Sequence, residues 1–581
     1  MPSRDLSSWL AALHDLRVQF GPRAARRKLA VLAARERPTF STADSLVAYH
    51  DTLLFLRAYA DGPALVAETE RRLRAFRDDV ARYRAASGDQ PALQLADSGL
   101  VDTAVGHVYS FRMARALRAL HPRAVEIDWD AYWRSDTANI PIALVPAMLW
   151  HESEAVDNDE HFDERVWLER NRTPHAPTCL AALMTLFSTS GLPERVQEHL
   201  YDQAEVPLRW NLARSPASRT RKRVSARRTF PQTEPLRGRS SDLRATLAGP
   251  AAPLRRVTGA TARRFVADVR EVLASRVREL YPLAGASADE VYVYDAGRGL
   301  RFVIYGSTPA VRLPHEANMG ALFVRNGVPV GYGLGALIFH QAEMAVNVFP
   351  AYRNGESAFL IEEFFRLFVG HFGARTLVVS AYQVGDGNDE GLDSGSFWFY
   401  YKLGFRPVRP AVRQLAARQA ARIAGDATYR TSRAMLMRLA KSDMFFHLDP
   451  SAAERHEPIS LADLGYAVTR HVARVYDGDR TRAVRESIEA IARHVPLGDT
   501  RSWTEGERLG LERMAPLIDA LGGTRHWPLS DREILARLLR AKGGRRERDF
   551  VVLAQTLPRL HAGMRHLARR DPATSAVRPR R

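Results

Sequence analysis

The sequence predicts an α+β protein, in which a mixed sheet with flanking helices lies between an all-helical N-terminal domain and a helical C-terminal region. Two observations predict this order. Apolar side chains recur at helical spacing in residues 1–215 and 411–581, whereas residues 258–410 contain several β-rich segments. The chain has 581 residues, too many for one core, which indicates two to four domains.

The N-terminal domain is expected to span residues 1–215. A helix is predicted from Ser41 to Tyr59, where Ser41 and Asp44 resemble a capping box. One apolar face of this helix is formed by Leu46, Tyr49, Leu53 and Leu56. Residues 62–87 predict a second amphipathic helix in the same style.

Residues 216–257 interrupt this pattern. They are rich in Arg, Ser, Pro and Gly and lack apolar periodicity, so they predict a flexible basic linker. Such a segment is either a solvated tether or a sequence-independent contact to nucleic acid phosphates.

The domain predicted at residues 258–410 begins with a helix at 260–280. Four β-rich runs follow, and Asn326-Gly327 between two apolar runs predicts a tight hairpin turn. Another helix, the strand at 375–382 and a short helix complete the domain. From about residue 411 the pattern is helical again, as in 482–495, where Ile488, Ile491 and Val495 share a face.

The stretch "NVFPAYRNGESAFLIEEFF", residues 347–365, changes from strand to turn to helix. The first turn of a helix has unpaired N–H groups and a partial positive charge, which favour a bound phosphate. Gly355 permits close backbone approach, and Arg353 adds charge and bidentate hydrogen bonds. The stretch therefore predicts an anion site.

Two passages resemble the GNAT superfamily of acyl-CoA N-acyltransferases, over residues 258–410 only. The strand-turn-helix at 347–365 is similar to the family's "Pro-x-Tyr-Arg-Gly" start, and Phe399–Phe405, "FYYKLGF", is close to the family's "FYeklGF" ending. The resemblance implies a GNAT-like sheet and acetyl-CoA as co-substrate, with its pyrophosphate on backbone N–H groups of the turn. The implied coenzyme-binding residues are Val348, Phe349, Arg353, Asn354, Gly355, Ser357, Ala358 and Asn388.

The family pattern at the turn is Arg/Gln-x-x-Gly-x-Gly/Ala, and Glu356 stands where the first of these glycines is expected. A Glu in the first turn suits the helix dipole. Its carboxylate would repel a phosphate, so we expect it to face away from the coenzyme, or coenzyme binding is weakened.

For catalysis, the resemblance places a general acid at Tyr400, with Tyr401 as the alternative if the register slips by one. A phenol is a suitable proton donor to a departing thiolate. Glu343 is the candidate base, because it lies on the strand before the turn on the same side as Asn347. Tyr400 and Tyr401 are equally compatible with a structural role on a packed helix face. Glu343 is likewise compatible with a solvent-facing position that has no catalytic role.

Cysteine content, motif spacing and net charge limit the classes of protein to which this chain can belong. The single cysteine, Cys179, cannot form an internal disulfide, and we expect no metal, because the acidic stretch His151–Glu164 lacks calcium-loop or zinc spacing. No signal peptide or membrane span is expected, so we predict a cytoplasmic protein without a membrane partner. The net charge of +18 fits either attraction to polyanions or the compositional bias of a GC-rich genome.

The predicted function is acyl transfer, most simply of an acetyl group from acetyl-CoA to an amine of unknown identity. One alternative is a catalytically silent GNAT-like scaffold that binds nucleic acid or protein through the Arg-rich residues 216–257. Another is a transferase with a larger acyl donor, such as one delivered on tRNA.

Overall fold

A computed structural model gives the fold and describes residues 5–87, 94–159, 161–225, 229–280, 284–453 and 457–570. The N-terminal helices are α1 (Leu6–Leu16), α2 (Pro22–Ala33), α3 (Ala43–Ala58), α4 (Pro63–Ser87), α5 (Phe111–Leu120), α6 (Trp129–Arg134), α7 (Ile140–Leu144), α8 (Trp150–Asn158), α9 (Glu164–Arg170), α10 (Cys179–Thr189) and α11 (Glu194–Gln203). Helix α3 covers the predicted amphipathic segment. Its N-cap is Thr42, whose hydroxyl accepts the Ser45 N–H at 3.2 Å, and not Ser41.

The N-terminal region is not all-helical. It contains a three-stranded antiparallel sheet in the order β1-β3-β2, formed by β1 (Ala104–Val108), β2 (Val125–Ile127) and β3 (Pro207–Asn211). The central strand, β3, buries Leu208 and Trp210 completely. These strands have only three to five residues, too few to show a clear alternating pattern in the sequence.

Residues 216–257 are not a flexible linker where the structure describes them. They contain helix α12 (Leu243–Ala248) and strand β4 (Leu254–Val257), and they pack on the rest of the chain. Lys222 is buried and its ammonium lies 2.6 Å from Asp268 Oδ1, while Gln232 is fully buried and accepts a hydrogen bond from Arg325. Partners on distant elements thus order a segment that has no apolar periodicity of its own.

The middle of the chain forms a nine-stranded sheet in the order β11-β12-β10-β9-β8-β7-β6-β5-β4. Its further elements are α13 (Gly259–Ala274), β5 (Ala286–Gly297), β6 (Leu300–Ser307), β7 (Ala317–Arg325), β8 (Val328–Ile338), β9 (Gln341–Val348), α14 (Ser357–Phe372), β10 (Thr376–Val379), α15 (Asp389–Asp393), α16 (Ser396–Lys402) and β11 (Arg406–Pro407). All neighbouring strands are antiparallel except β9 and β10, which are parallel. The predicted hairpin turn joins β7 to β8, with Asn326 and Gly327 at positive φ.

Helix α14 packs closely against the sheet because its buried face is rich in Phe. Phe364 and Phe368 are fully buried. Gly335 of β8 makes room for this contact, since a Cβ there would lie 2.1 Å from a ring carbon of Phe368. The close packing fixes the start of α14 relative to the end of β9.

The C-terminal region contributes one strand and eight helices to the described residues. These are α17 (Pro410–Gly425), α18 (Arg433–Leu439), β12 (Met444–His447), α19 (Leu461–Tyr476), α20 (Arg480–Ala492), α21 (Glu505–Ala520), α22 (Leu529–Lys542), α23 (Glu547–Gln555) and α24 (Pro558–Arg570). Strand β12 lies beyond the boundary predicted at residue 410, yet it pairs between β10 and β11. The sheet therefore extends into the region that was expected to be helical.

Buried charges attach the C-terminal helices to the sheet. The Lys542 ammonium lies 2.6 Å from Glu547 Oε1 and donates to the Glu316 carbonyl at 2.7 Å. Glu290 of β5 accepts the Glu547 N–H at 2.7 Å. Among the described residues, no helix combines the length and the apolar character needed to cross a membrane.

Candidate functional site

Strand β10 has four residues and β9 has eight, so the two strands pair over only the first three residues of β9. Their register joins residues 341–343 to residues 376–378, and residues 344–348 of β9 have no partner on β10. A cavity of about 190 Å³ opens beside this part of β9. Its walls are formed by Val346, Asn347, Val348, Arg353, Ser357, Ile361, Gln383, Asn388, Glu390, Gly391, Ser394, Ser396, Phe399 and Tyr400.

The structure brings five of the ten predicted site residues to this cavity. The residues that line it are Val348, Arg353, Ser357, Asn388 and Tyr400. The predicted residues that do not line it are Glu343, Phe349, Asn354, Gly355 and Ala358. The two predicted passages thus meet at one site, although they are separated in sequence.

The start of α14 borders the cavity through Ser357. The residue before it, Glu356, does not cap the helix with its side chain. Within the part of the chain that the structure describes, the N–H groups of Ser357, Ala358 and Phe359 have no acceptor. This helix has 16 residues, so its first turn offers unpaired donors and a partial positive charge to an anion.

The preceding turn uses most of its backbone donors internally. The N–H groups of Arg353, Gly355 and Glu356 donate to Pro350 O, Tyr352 O and Tyr59 Oη, respectively. At Gly355 the group that approaches the backbone closely is the Tyr59 hydroxyl and not a ligand, because a Cβ on residue 355 would lie 2.4 Å from that hydroxyl. Of these turn residues, Asn354 has an N–H without an acceptor among the described residues, but it does not line the cavity, so the amide available to a ligand there is that of Ser357 at the helix start.

The Glu356 carboxylate turns away from the cavity. It is 2% exposed and lies between Arg325, 2.6 Å from Nη1, and Arg298, 3.0 Å from Nη2. It also accepts the Arg237 N–H at 2.9 Å. The residue that departs from the family pattern thus holds the turn against residues 229–240 and the sheet.

Tyr400 is 3% exposed, and its ring packs against Phe399 and Phe405. Burial raises the pKa of Tyr400, so its phenol stays protonated at neutral pH. Helix α16 ends after this residue: the Phe405 N–H donates to the Tyr400 carbonyl at 3.1 Å, with Gly404 at φ 101°. The glycine of the "KLGF" sequence thus permits the backbone conformation that ends the helix.

Asn388 begins helix α15. Its side chain accepts the Gly391 N–H at 3.2 Å and donates to the Tyr382 carbonyl at 3.0 Å. It therefore fixes the shape of the polar loop at residues 382–395, one wall of the cavity.

Glu343 lies outside the cavity on the paired part of β9 and is exposed. Partial desolvation raises the pKa of its carboxyl, and the negative charge of Asp443 acts in the same direction, while a hydrogen bond with Ser380 acts in the opposite direction. The strand spacing puts Glu343 about 13 Å from Asn347, which does line the cavity.

The sequence did not reveal two charged residues at the cavity mouth. Glu390 of α15 accepts a hydrogen bond from Arg353 and one at 3.1 Å from Arg278, which follows α13. Desolvation acts to raise the pKa of Glu390, but Arg278 and Arg353 outweigh it, so the pKa is lowered. The only sequence feature that pointed to Glu390 was the unusual length of the loop at 382–395. No sequence feature pointed to Arg278.

In the described ranges, no three residues of the His, Cys, Asp and Glu types are grouped so that they would hold a metal ion.

In comparisons with known proteins, no family model, curated protein or solved structure matches the chain.

Proposed function

We propose that this chain is a GNAT-type acyltransferase that moves an acetyl or other acyl group from acyl-CoA to an amine by direct transfer. The observation that supports it most is the cavity beside the part of β9 that has no partner on β10. It joins an uncapped helix start, Arg353 and the buried Tyr400 in one space. The orientation of Glu356 supports the same conclusion, because its carboxylate leaves this space free for an anion.

In this proposal the coenzyme diphosphate binds at the start of α14. The N–H group of Ser357, which lines the cavity, donates to it, and Arg353 supplies a positive charge. The acyl-bearing arm then lies along the unpaired part of β9, where Gln383 and Arg353 already bond the carbonyls of Val346 and Val348 at 3.2 and 3.1 Å. This part of the strand edge is polar and lies beside the cavity.

The reaction proceeds without a covalent enzyme intermediate. The amine nitrogen attacks the thioester carbon, the new C–N bond forms, and the C–S bond breaks. The thiolate takes the Tyr400 proton, and the phenol is restored by a proton that originates from the amine. The Tyr400 phenol is protonated at neutral pH and is therefore available as the proton donor.

Glu343 is the proposed base. Its raised pKa brings the carboxyl nearer to the range that proton uptake from an amine requires. Because it lies outside the cavity, it would act through water along the strand.

Calorimetric titration with acetyl-CoA tests the proposal. Arg353→Ala should weaken binding by roughly ten- to a hundredfold, since a charge-assisted contact is lost. Arg375→Ala is the matched control, because Arg375 is exposed just after α14 and outside the cavity. Mass spectrometry of amines incubated with labelled acetyl-CoA should show a labelled product. Equal binding by both variants would reject the site, and the absence of saturable binding and product would reject the function.

The alternative, a silent scaffold that binds nucleic acid through residues 216–257, has less support. Several cations of this segment already pair with carboxylates of the same chain, among them Arg219 with Asp51 and Lys222 with Asp268. A salt-dependent affinity for nucleic acid without acetyl-CoA binding would favour this alternative.

A further inference from the structure

The Glu390 carboxylate lies where the proposed function places an anion. One oxygen accepts a hydrogen bond from Arg353 and the other accepts from Arg278 at 3.1 Å, while the Asn347 amide approaches at 3.5 Å. A carboxylate that bridges two guanidinium groups has the same charge pattern as a bound phosphate. Among the described residues, a carboxylate of the same chain therefore pairs with the two arginines that would otherwise be open to a ligand anion.

We propose that Arg353 and Arg278 form a clamp for the diphosphate of the acyl donor, and that Glu390 occupies this clamp until the donor displaces it. The inference rests on the proposed function and adds two residues to it. Arg278 becomes a residue that binds the diphosphate, and Glu390 becomes a group that competes with the diphosphate for the two arginines. The segment 385–395, which carries Glu390, is called the lid.

The partial exposure of these side chains makes the displacement feasible. The exposed fractions are 36% for Arg353, 33% for Glu390 and 45% for Arg278. Ion pairs this accessible to water contribute little to stability. A diphosphate has more charge and more acceptor atoms than a carboxylate, so it forms the stronger contact with the same two arginines.

The lid is anchored by Leu392, which is 6% exposed, so displacement of Glu390 requires only a change in the conformation of its own side chain. Gly385 and Gly395 stand at its ends, both at positive φ, so glycine is favoured at both positions. Its outer side is held by ion pairs of Asp389 and Asp393 with Arg433, which is half exposed. These ion pairs and the buried Leu392 hold the backbone of the lid in place.

Calorimetry with acetyl-CoA and with inorganic pyrophosphate tests the clamp. Glu390→Gln keeps the shape of the side chain and removes the competing charge. We expect it to bind both probes roughly three- to tenfold more tightly than the wild type does. Adding Arg278→Ala to Glu390→Gln should reverse this gain for both probes.

Glu533→Gln is the control, because it removes an exposed carboxylate of α22 that lies outside the cavity and outside the lid. It should change the affinity less than about twofold. If wild-type protein binds acetyl-CoA and Glu390→Gln binds it equally or less tightly, the displacement idea is wrong while the proposed function stands. An unchanged affinity on adding Arg278→Ala overturns the clamp. If no variant binds either probe, the proposed function itself fails.

Discussion

Glu356→Gln should destabilise the fold strongly and leave acyl-donor binding intact. The carboxylate is 2% exposed and lies 2.6 Å from Arg325 Nη1. Gln keeps the shape but removes the negative charge, so Arg325, itself 1% exposed, keeps a buried charge without a counter-charge. Removing one partner of a buried ion pair costs about 3–5 kcal/mol. Arg298 is less affected because it also lies 2.7 Å from Glu234.

Urea unfolding followed by circular dichroism measures this loss as a lower midpoint, and hydrogen exchange at residues 353–360 locates it. The double variant Glu356→Met/Arg325→Met is the control. It should recover most of the loss, since no unpaired charge then remains at that position. Calorimetry on the folded single variant should give wild-type affinity for acetyl-CoA. A single variant within about 0.5 kcal/mol of wild type, or a double variant less stable than the single, would refute the reasoning.

Three further predictions follow from the same structure. Tyr400→Phe should slow acyl transfer by roughly a hundredfold or more without changing acetyl-CoA affinity, because it removes the proton donor and keeps the ring; steady-state kinetics measures this. Gly335→Ala should destabilise the protein by about 1–3 kcal/mol through the clash with Phe368. Gly465→Ala, in open space on α19, should instead stabilise it by up to about 1 kcal/mol; urea midpoints compare the two. Burial lowers the pKa of His50 from 6.5 to about 4, so only the unfolded chain gains this proton as the pH falls from 6.5 to 4. The wild type should therefore lose about 2 kcal/mol between pH 7 and pH 5 that His50→Gln does not lose, as measured by unfolding at both pH values.

Each of these predictions has a contrary outcome. Full activity in Tyr400→Phe would exclude the phenol as the proton donor. Equal midpoints for the two glycine variants would show that the sheet yields to the added methyl group. The same pH dependence in wild type and His50→Gln would mean that this imidazole takes up its proton in the folded chain as well.

The sequence by itself determined the elements whose cause is local. The apolar spacing of Leu46, Tyr49 and Leu53 predicted helix α3, and Asn326-Gly327 predicted the hairpin between β7 and β8. The two passages that the sequence singled out, around Arg353 and Tyr400, both reach the cavity. Such features follow from the backbone preferences and periodicity of a few consecutive residues.

Only the tertiary structure decided which distant groups meet. The order of residues 216–257, the pairing of β12 and the orientation of Glu356 depend on partners far away in the chain. The meeting of Glu390 with Arg278, 112 residues apart, left no pattern in either segment. Ion pairing and burial depend on distance in space, and a local sequence pattern contains no measure of that distance.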